Sequence, residues 1–208
     1  MRMHMKNSHR AHRRGFSLVE ILVALTITAT LLTATLGALD ASFKGYKFIT
    51  ESASNNVVAR IVVQRTTAMI RNGTNFGPYP DDVLDSTQNP LQSTFIEFET
   101  ARNDAAGTYQ IVRIERRAAT VAANGPYEAW YVLNNYLGGT LSNQDARPLI
   151  SNLQAFNFTL EYDVGPRLKA ATMDMTVNPT GLRDSMISTD IASNSVRMVT
   201  SVVPRKLD

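Results

Sequence analysis

The chain has 208 residues, enough for one folded domain and one membrane-length segment, and it has no cysteine. An exported head would therefore hold together by core packing without disulfides. Its net charge of +3 is set by Arg2, Lys6, Arg10, Arg13 and Arg14, and without the first fifteen residues 16 basic side chains face 18 acidic ones. This argues against a nucleic-acid role founded on overall basicity.

The same stretch, residues 1–15, reads as a basic leader with no globular content. It holds His4, His9 and His12, so the rest of the chain has neither His nor Cys. That excludes histidine-based triads, thiol nucleophiles and imidazole or thiolate metal sites from residues 16–208. Residues 16–39 read as the membrane-spanning half of a long helix, with Glu20 as the sole charge among 24 residues. At about 1.5 Å per residue they extend about 36 Å, against a hydrocarbon core of about 30 Å. Thr26, Thr28, Thr30, Thr33 and Thr35 are expected to bond back to their own helix carbonyls, which makes them tolerable in lipid. No proline occurs between residues 16 and 77, so the helix is expected to run on to Arg71.

Over residues 40–71, Tyr46, Ile49, Ala53, Val57, Ile61 and Ala68 recur at steps of three, four or seven. This predicts the amphipathic face that packs on a head, with Lys47, Glu51, Asn55 and Arg65 elsewhere. Asn72-Gly73 reads as a C-cap. Residues 72–92, with Gly73, Gly77, Pro78, Pro80 and Pro90, read as a loop. Strands are predicted at 93–99, 109–116, 128–133, 153–163, 170–177 and 195–203, with turns at 164–166 and 178–181. In the fourth, Phe156, Phe158, Leu160 and Tyr162 share one face. The predicted fold class is α+β: one long N-terminal helix packed on a mostly antiparallel sheet of four to six strands, with residues 72–208 as a β-rich head.

The stretch Arg13-Arg14-Gly15-Phe16-Ser17-Leu18-Val19-Glu20-Ile21 combines a basic flank, a glycine, a phenylalanine and a carboxylate five residues into an apolar segment. It resembles the processing site of type IV prepilins and type II secretion pseudoprepilins. The resemblance covers residues 13–39 closely and the long-helix region to about residue 71; beyond that it extends to general layout. It implies a pilin-like fold and a structural, non-enzymatic role. A membrane-embedded prepilin peptidase would cut after Gly15 and N-methylate Phe16. The implied partners are this peptidase, other pilin or pseudopilin subunits, and an ATPase-driven inner-membrane assembly platform. The N-terminus would be cytoplasmic and the head periplasmic or extracellular, as the basic flank also suggests. Without the C-terminal disulfide common in major pilins, the chain is more similar to a minor pilin or pseudopilin. Its length and its late segments, 148–162 and 198–205, are similar to the J-type minor pseudopilins.

Within this resemblance, Gly15 has no side chain and suits an extended backbone in a protease cleft. Phe16 would present an ionisable amine. Glu20 would neutralise the Phe16 amine of a neighbouring subunit, because an unpaired carboxylate in low dielectric is costly and a close ion pair recovers much of that cost. Asp81, Asp82 and Asp85 are weak candidates for Ca²⁺, without the spacing of a defined calcium loop; solvated turn acids are the simpler reading, and no cofactor is otherwise expected. Glu97, Glu99 and Glu115 are conceivable as paired carboxylates of a membrane-anchored hydrolase, but nothing in the sequence fixes their separation. Tyr127, Trp130 and Tyr131 read as head core or a subunit contact. The alternative function is a membrane-anchored or exported binding protein with residues 1–39 as signal or anchor.

Overall fold

The computed structural model describes residues 16–121, 125–165, 167–178 and 195–205. Gly15, Pro166 and the predicted turn residues 179–181 lie outside them, as do the Glu51 and Asn55 side chains. The chain divides into two units, Met1–Tyr46 and Lys47–Asp208, and α1 (Leu18–Asn72) supplies helix to both.

In the first unit α1 is apolar and exposed all round. The stretch Leu18–Lys47 has a mean hydropathy of 2.0, none of it is buried, and it is long enough to cross a membrane. The expected threonine back-bonds are present: Thr26 donates to the Val23 carbonyl at 2.8 Å, Thr28 to Ala24 at 2.7 Å and Thr33 to Ala29 at 2.9 Å, and Thr30 and Thr35 donate likewise to Ile27 and Leu32. Each hydroxyl is satisfied inside its own helix, so the segment needs no water for them. The apolar stretch outruns the predicted boundary at residue 39. The first charges after Glu20, Asp40 and Lys44, lie one turn apart and pair at 2.7 Å.

The second unit is an eight-stranded sheet against the last turns of α1. The strands are β1 (Thr74–Gly77), β2 (Leu91–Ser93), β3 (Phe95–Asn103), β4 (Thr108–Ala118), β5 (Tyr127–Leu137), β6 (Thr140–Asp163), β7 (Arg167–Val177) and β8 (Val196–Val202). Every pairing is antiparallel, in the order β1-β3-β4-β5-β6-β7-β8, with β2 beside β6. One long N-terminal helix and a mostly antiparallel sheet make this an α+β, pilin-like fold. Phe156, Phe158, Leu160 and Tyr162 are buried on the helix side of β6, as their alternation predicts, together with Ile96, Phe98, Val112, Ile114 and Met175. Each such apolar side chain contributes about 1.5–3 kcal/mol by leaving water.

Four expectations are corrected. The helix face that enters this core is Ala59, Val62, Val63 and Ile70, joined by Thr66. The predicted stripe, Tyr46, Ile49, Ala53, Val57, Ile61 and Ala68, is exposed throughout. Between residues 57 and 70 the helix is apolar on two faces, and period alone does not say which one meets the sheet. Residues 72–92 are not all loop: β1 inserts Phe76 into the core and β2 closes the segment. Among the described residues the sheet has eight strands rather than four to six, and β6 begins thirteen residues before its predicted start. Its first part pairs with β5 and its second with β7 and β2, across a register shift near Asn152 (φ 64°). Pro148, which cannot donate to a ladder, falls where β6 has a neighbour on one side only among the described residues. The expected helix end at Asn72-Gly73 is found: α1 stops at Asn72, the Gly73 N–H donates to the Ile70 carbonyl at 3.3 Å, and a Cβ at Gly73 would lie 2.6 Å from the Phe98 ring.

Candidate processing and assembly site

The first helical turn is organised by a reciprocal pair of side chains. Ser17 precedes α1, and its Oγ accepts the Val19 N–H at 3.3 Å. Glu20 reaches back, and its Oε2 accepts the Ser17 N–H at 2.9 Å. The Ser17 carbonyl accepts the first helical bond, from Ile21 at 3.2 Å. This is a capping box, in which two orphan donors of the helix start are satisfied by the side chains that flank them. The spacing Ser-x-x-Glu is legible in Ser17-Leu18-Val19-Glu20, and it gives Glu20 a partner within its own turn besides the neighbour's amine expected from the sequence.

The capping bond also places the carboxylate. Glu20 lies on the helix surface, exposed, in an open, shallow concavity with Phe16, Ile21, Ala24, Leu25 and Thr28. Phe16 is 84 % exposed. An amide N–H is a neutral donor, and a carboxylate binds an ammonium donor more strongly. The geometry therefore leaves Glu20 satisfied yet open to exchange for a cation arriving from outside the helix. Gly15, the residue expected before the cut, lies outside the described residues.

The remaining candidates do not assemble into chemistry. Asp82 accepts the Leu84 N–H at 2.8 Å. Asp85 accepts both the Thr87 N–H at 2.8 Å and the Thr87 hydroxyl at 2.7 Å. These bonds, the backbone one first, hold the Asp85 carboxyl below the usual carboxylate range. They are turn-stabilising bonds. Among the described residues, Asp81, Asp82 and Asp85 do not form a group of three potential metal ligands, nor do any other His, Cys, Asp or Glu.

Glu97, Glu99 and Glu115 lie on the sheet face away from the helix, each beside a guanidinium. Arg102 donates to both Glu99 oxygens, at 2.7 and 2.6 Å. Arg117 donates to Glu115 at 2.5 Å. Arg113 Nε lies 2.8 Å from Glu115 as an ion pair without an aligned hydrogen bond, and its Nη1 is 3.8 Å from Glu97. The same arginines cover aromatic rings, Arg113 over Phe95 at 3.8 Å and Arg117 over Trp130 at 4.8 Å. The layer is a mesh of charge and ring contacts rather than a carboxylate pair facing a cleft. Trp130 donates to Glu128 at 3.1 Å on this face. Tyr127 and Tyr131 pack against the core on the other. The three aromatics therefore form no common platform.

Comparison with known proteins places the match where this geometry lies. No curated protein and no solved structure matches the chain. The family described as the prokaryotic N-terminal methylation motif matches residues 10–36, which include the basic flank, Gly15, Phe16, the Ser17–Glu20 box and most of the apolar half-helix. The chain thus carries a prepilin-type methylation motif at the start of a membrane-length helix, which supports a type IV pilin-like protein and points to a structural subunit rather than an enzyme.

Proposed function

We propose that this chain is a minor pilin or pseudopilin, similar to the J-type minor pseudopilins, and a structural subunit of a type II secretion pseudopilus or a type IV pilus. Residues 1–15 act as the leader, residues 16–39 as the core of the membrane and assembly segment, and residues 72–208 as the exported head. Prepilin peptidase cuts the Gly15–Phe16 bond and methylates the new Phe16 amine. The subunit waits in the inner membrane with its head outside the cytoplasm until the assembly platform builds it into the fibre.

The observation that carries this reading is the capped carboxylate of Glu20 inside the methylation motif. A charge in an inserted helix costs about 2.5–3.5 kcal/mol at the bilayer centre and less towards an end. The Ser17 amide offsets part of that cost in the single subunit. Once the chain is cut, a neighbour's Phe16 ammonium is a stronger partner. Exchange of one for the other fixes the axial offset between subunits. The exposed apolar face at Val57, Ile61 and Ala68 supports the same reading, since it gives lateral helices something to bury.

Mass spectrometry of the membrane-extracted protein from cells with active prepilin processing tests the proposal. The expected N-terminus is methyl-Phe followed by Ser-Leu-Val-Glu. Retention of the first fifteen residues, or a terminus near residue 40 as for an ordinary export signal, overturns it. Glu20→Gln is expected to insert and to be cleaved normally but to enter fibres poorly.

A further inference from the structure

The first unit carries a second feature, at the opposite end of the apolar helix. Phe16 is followed by an aromatic-free run of 26 residues, 17–42, which ends at Phe43 and Tyr46. Both of these rings are exposed, Phe43 by 65 % and Tyr46 by 71 %. Phe43 lies 25 helical steps beyond Leu18, where α1 begins, and Phe16 two residues before it, so the two rings are separated by about 40 Å. That separation matches a bilayer including its headgroup layers, about 40–45 Å, and exceeds the hydrocarbon core of about 30 Å. Each end also has charge near its ring on the residues that remain after the cut: Glu20 one turn beyond Phe16, and the Asp40–Lys44 pair at 2.7 Å beside Phe43. Aromatic rings at both ends of an apolar span, with charge beside them, are the signature of interfacial anchoring.

We infer that Phe43, Tyr46 and the Asp40–Lys44 pair form an outer interfacial girdle that contacts phospholipid headgroups. The membrane boundary of the subunit then lies at residues 43–46, about one turn beyond the end of the uncharged stretch at Leu39. Pairing with Lys44 lets Asp40 sit at that depth, because the two charges cancel where water is scarce. The rings hold the helix at a defined height until assembly withdraws it. This inference rests on the reading of the first unit as membrane-spanning.

The chain has no cysteine, so a single introduced thiol reports its own position. Full-length Leu31→Cys, Leu36→Cys, Ser42→Cys, Gly45→Cys and Ala53→Cys are reconstituted in phosphatidylcholine vesicles. They are labelled with a membrane-impermeant maleimide, with Ala53→Cys as the gauge of outward-facing heads. The girdle predicts protection at residues 31 and 36 and labelling at 42 about tenfold slower than at 53, with the rise at or beyond 45. In a Phe43→Ala, Tyr46→Ala background, labelling at 42 is expected to approach the rate at 53, whereas Trp at both positions preserves the protection. Labelling at 42 as fast as at 53 in the parent background overturns the girdle, and so does continued protection at 42 in the double-alanine background. Fast labelling at 31 and 36 overturns the membrane reading with it, so the two failures are distinguishable.

Discussion

Ser17 and Glu20 show how two short side chains govern a helix start. Replacing Ser17 by Ala removes the bond to Val19 and is expected to weaken the first turn by about 1 kcal/mol, whereas Ser17→Thr retains it. Amide exchange of the detergent-solubilised protein reads this directly, as faster exchange confined to residues 18–21. Thr66 is a different case. Its hydroxyl is buried in the second unit, and among the described residues Oγ1 has no hydrogen-bond partner. Valine has the same shape without the orphaned oxygen, so Thr66→Val is expected to raise stability by about 1 kcal/mol in chemical denaturation. Gly73→Ala acts in the opposite sense. A Cβ 2.6 Å from the Phe98 ring forces that core residue to move, at about 1–3 kcal/mol, read as a lower denaturation midpoint.

The elements divide into those written locally in the sequence and those decided by distant partners. The helix from Leu18 to Asn72 and the alternation of β6, β7 and β8 were legible, because their periodicity lies within a few residues. So was the methylation motif, matched over residues 10–36, because its basic flank, Gly15, Phe16 and Glu20 lie close together along the chain. The capping role of Ser17 is equally local, written in the Ser-x-x-Glu spacing that also carries Glu20. The head-facing side of α1 was not legible. Val62, Val63 and Ile70 are no more apolar than Val57 and Ile61, and the sheet alone selects between them. The first part of β6 was hidden by Asn143, Gln144, Asp145, Arg147 and Pro148, whose polarity suits a ladder bordered on one side. These differences predict different responses. Phe158→Ala, in the core, is expected to cost about 3–5 kcal/mol. Val57→Ser with Ile61→Ser is expected to change subunit stability by no more than about 0.5 kcal/mol per site while lowering incorporation into fibres. Parallel melting and assembly assays separate the two outcomes.

For the whole molecule, pH sets limits on both sides. Arg197, donating from β8, holds the Asp174 carboxyl on β7 below its ordinary value, and Arg147 does the same for Asp145. A folded-state value below the unfolded one gives stability that is complete above the unfolded carboxylate range. It is lost as pH falls through the depressed value, which places the loss below about pH 4. Burial pushes the Tyr162 phenol up, with further upward contributions from Tyr79 and Glu97. That contribution is complete below the unfolded tyrosine value and falls away as pH rises beyond about 10. Melting temperature should therefore hold a plateau between these limits, and Asp174→Asn should flatten its acid edge; circular dichroism melts across the range check both. The closing contact of the second unit has a mechanical meaning. The Arg205 N–H donates to the Arg71 carbonyl at 2.8 Å, tying the segment after β8 to the last turn of α1. Tension drawn along the helix therefore reaches the sheet by two routes at once, through Gly73 into β1 at one border and through Arg205 into β8 at the other. The sheet is thereby fastened to its helix at both margins and not at one alone.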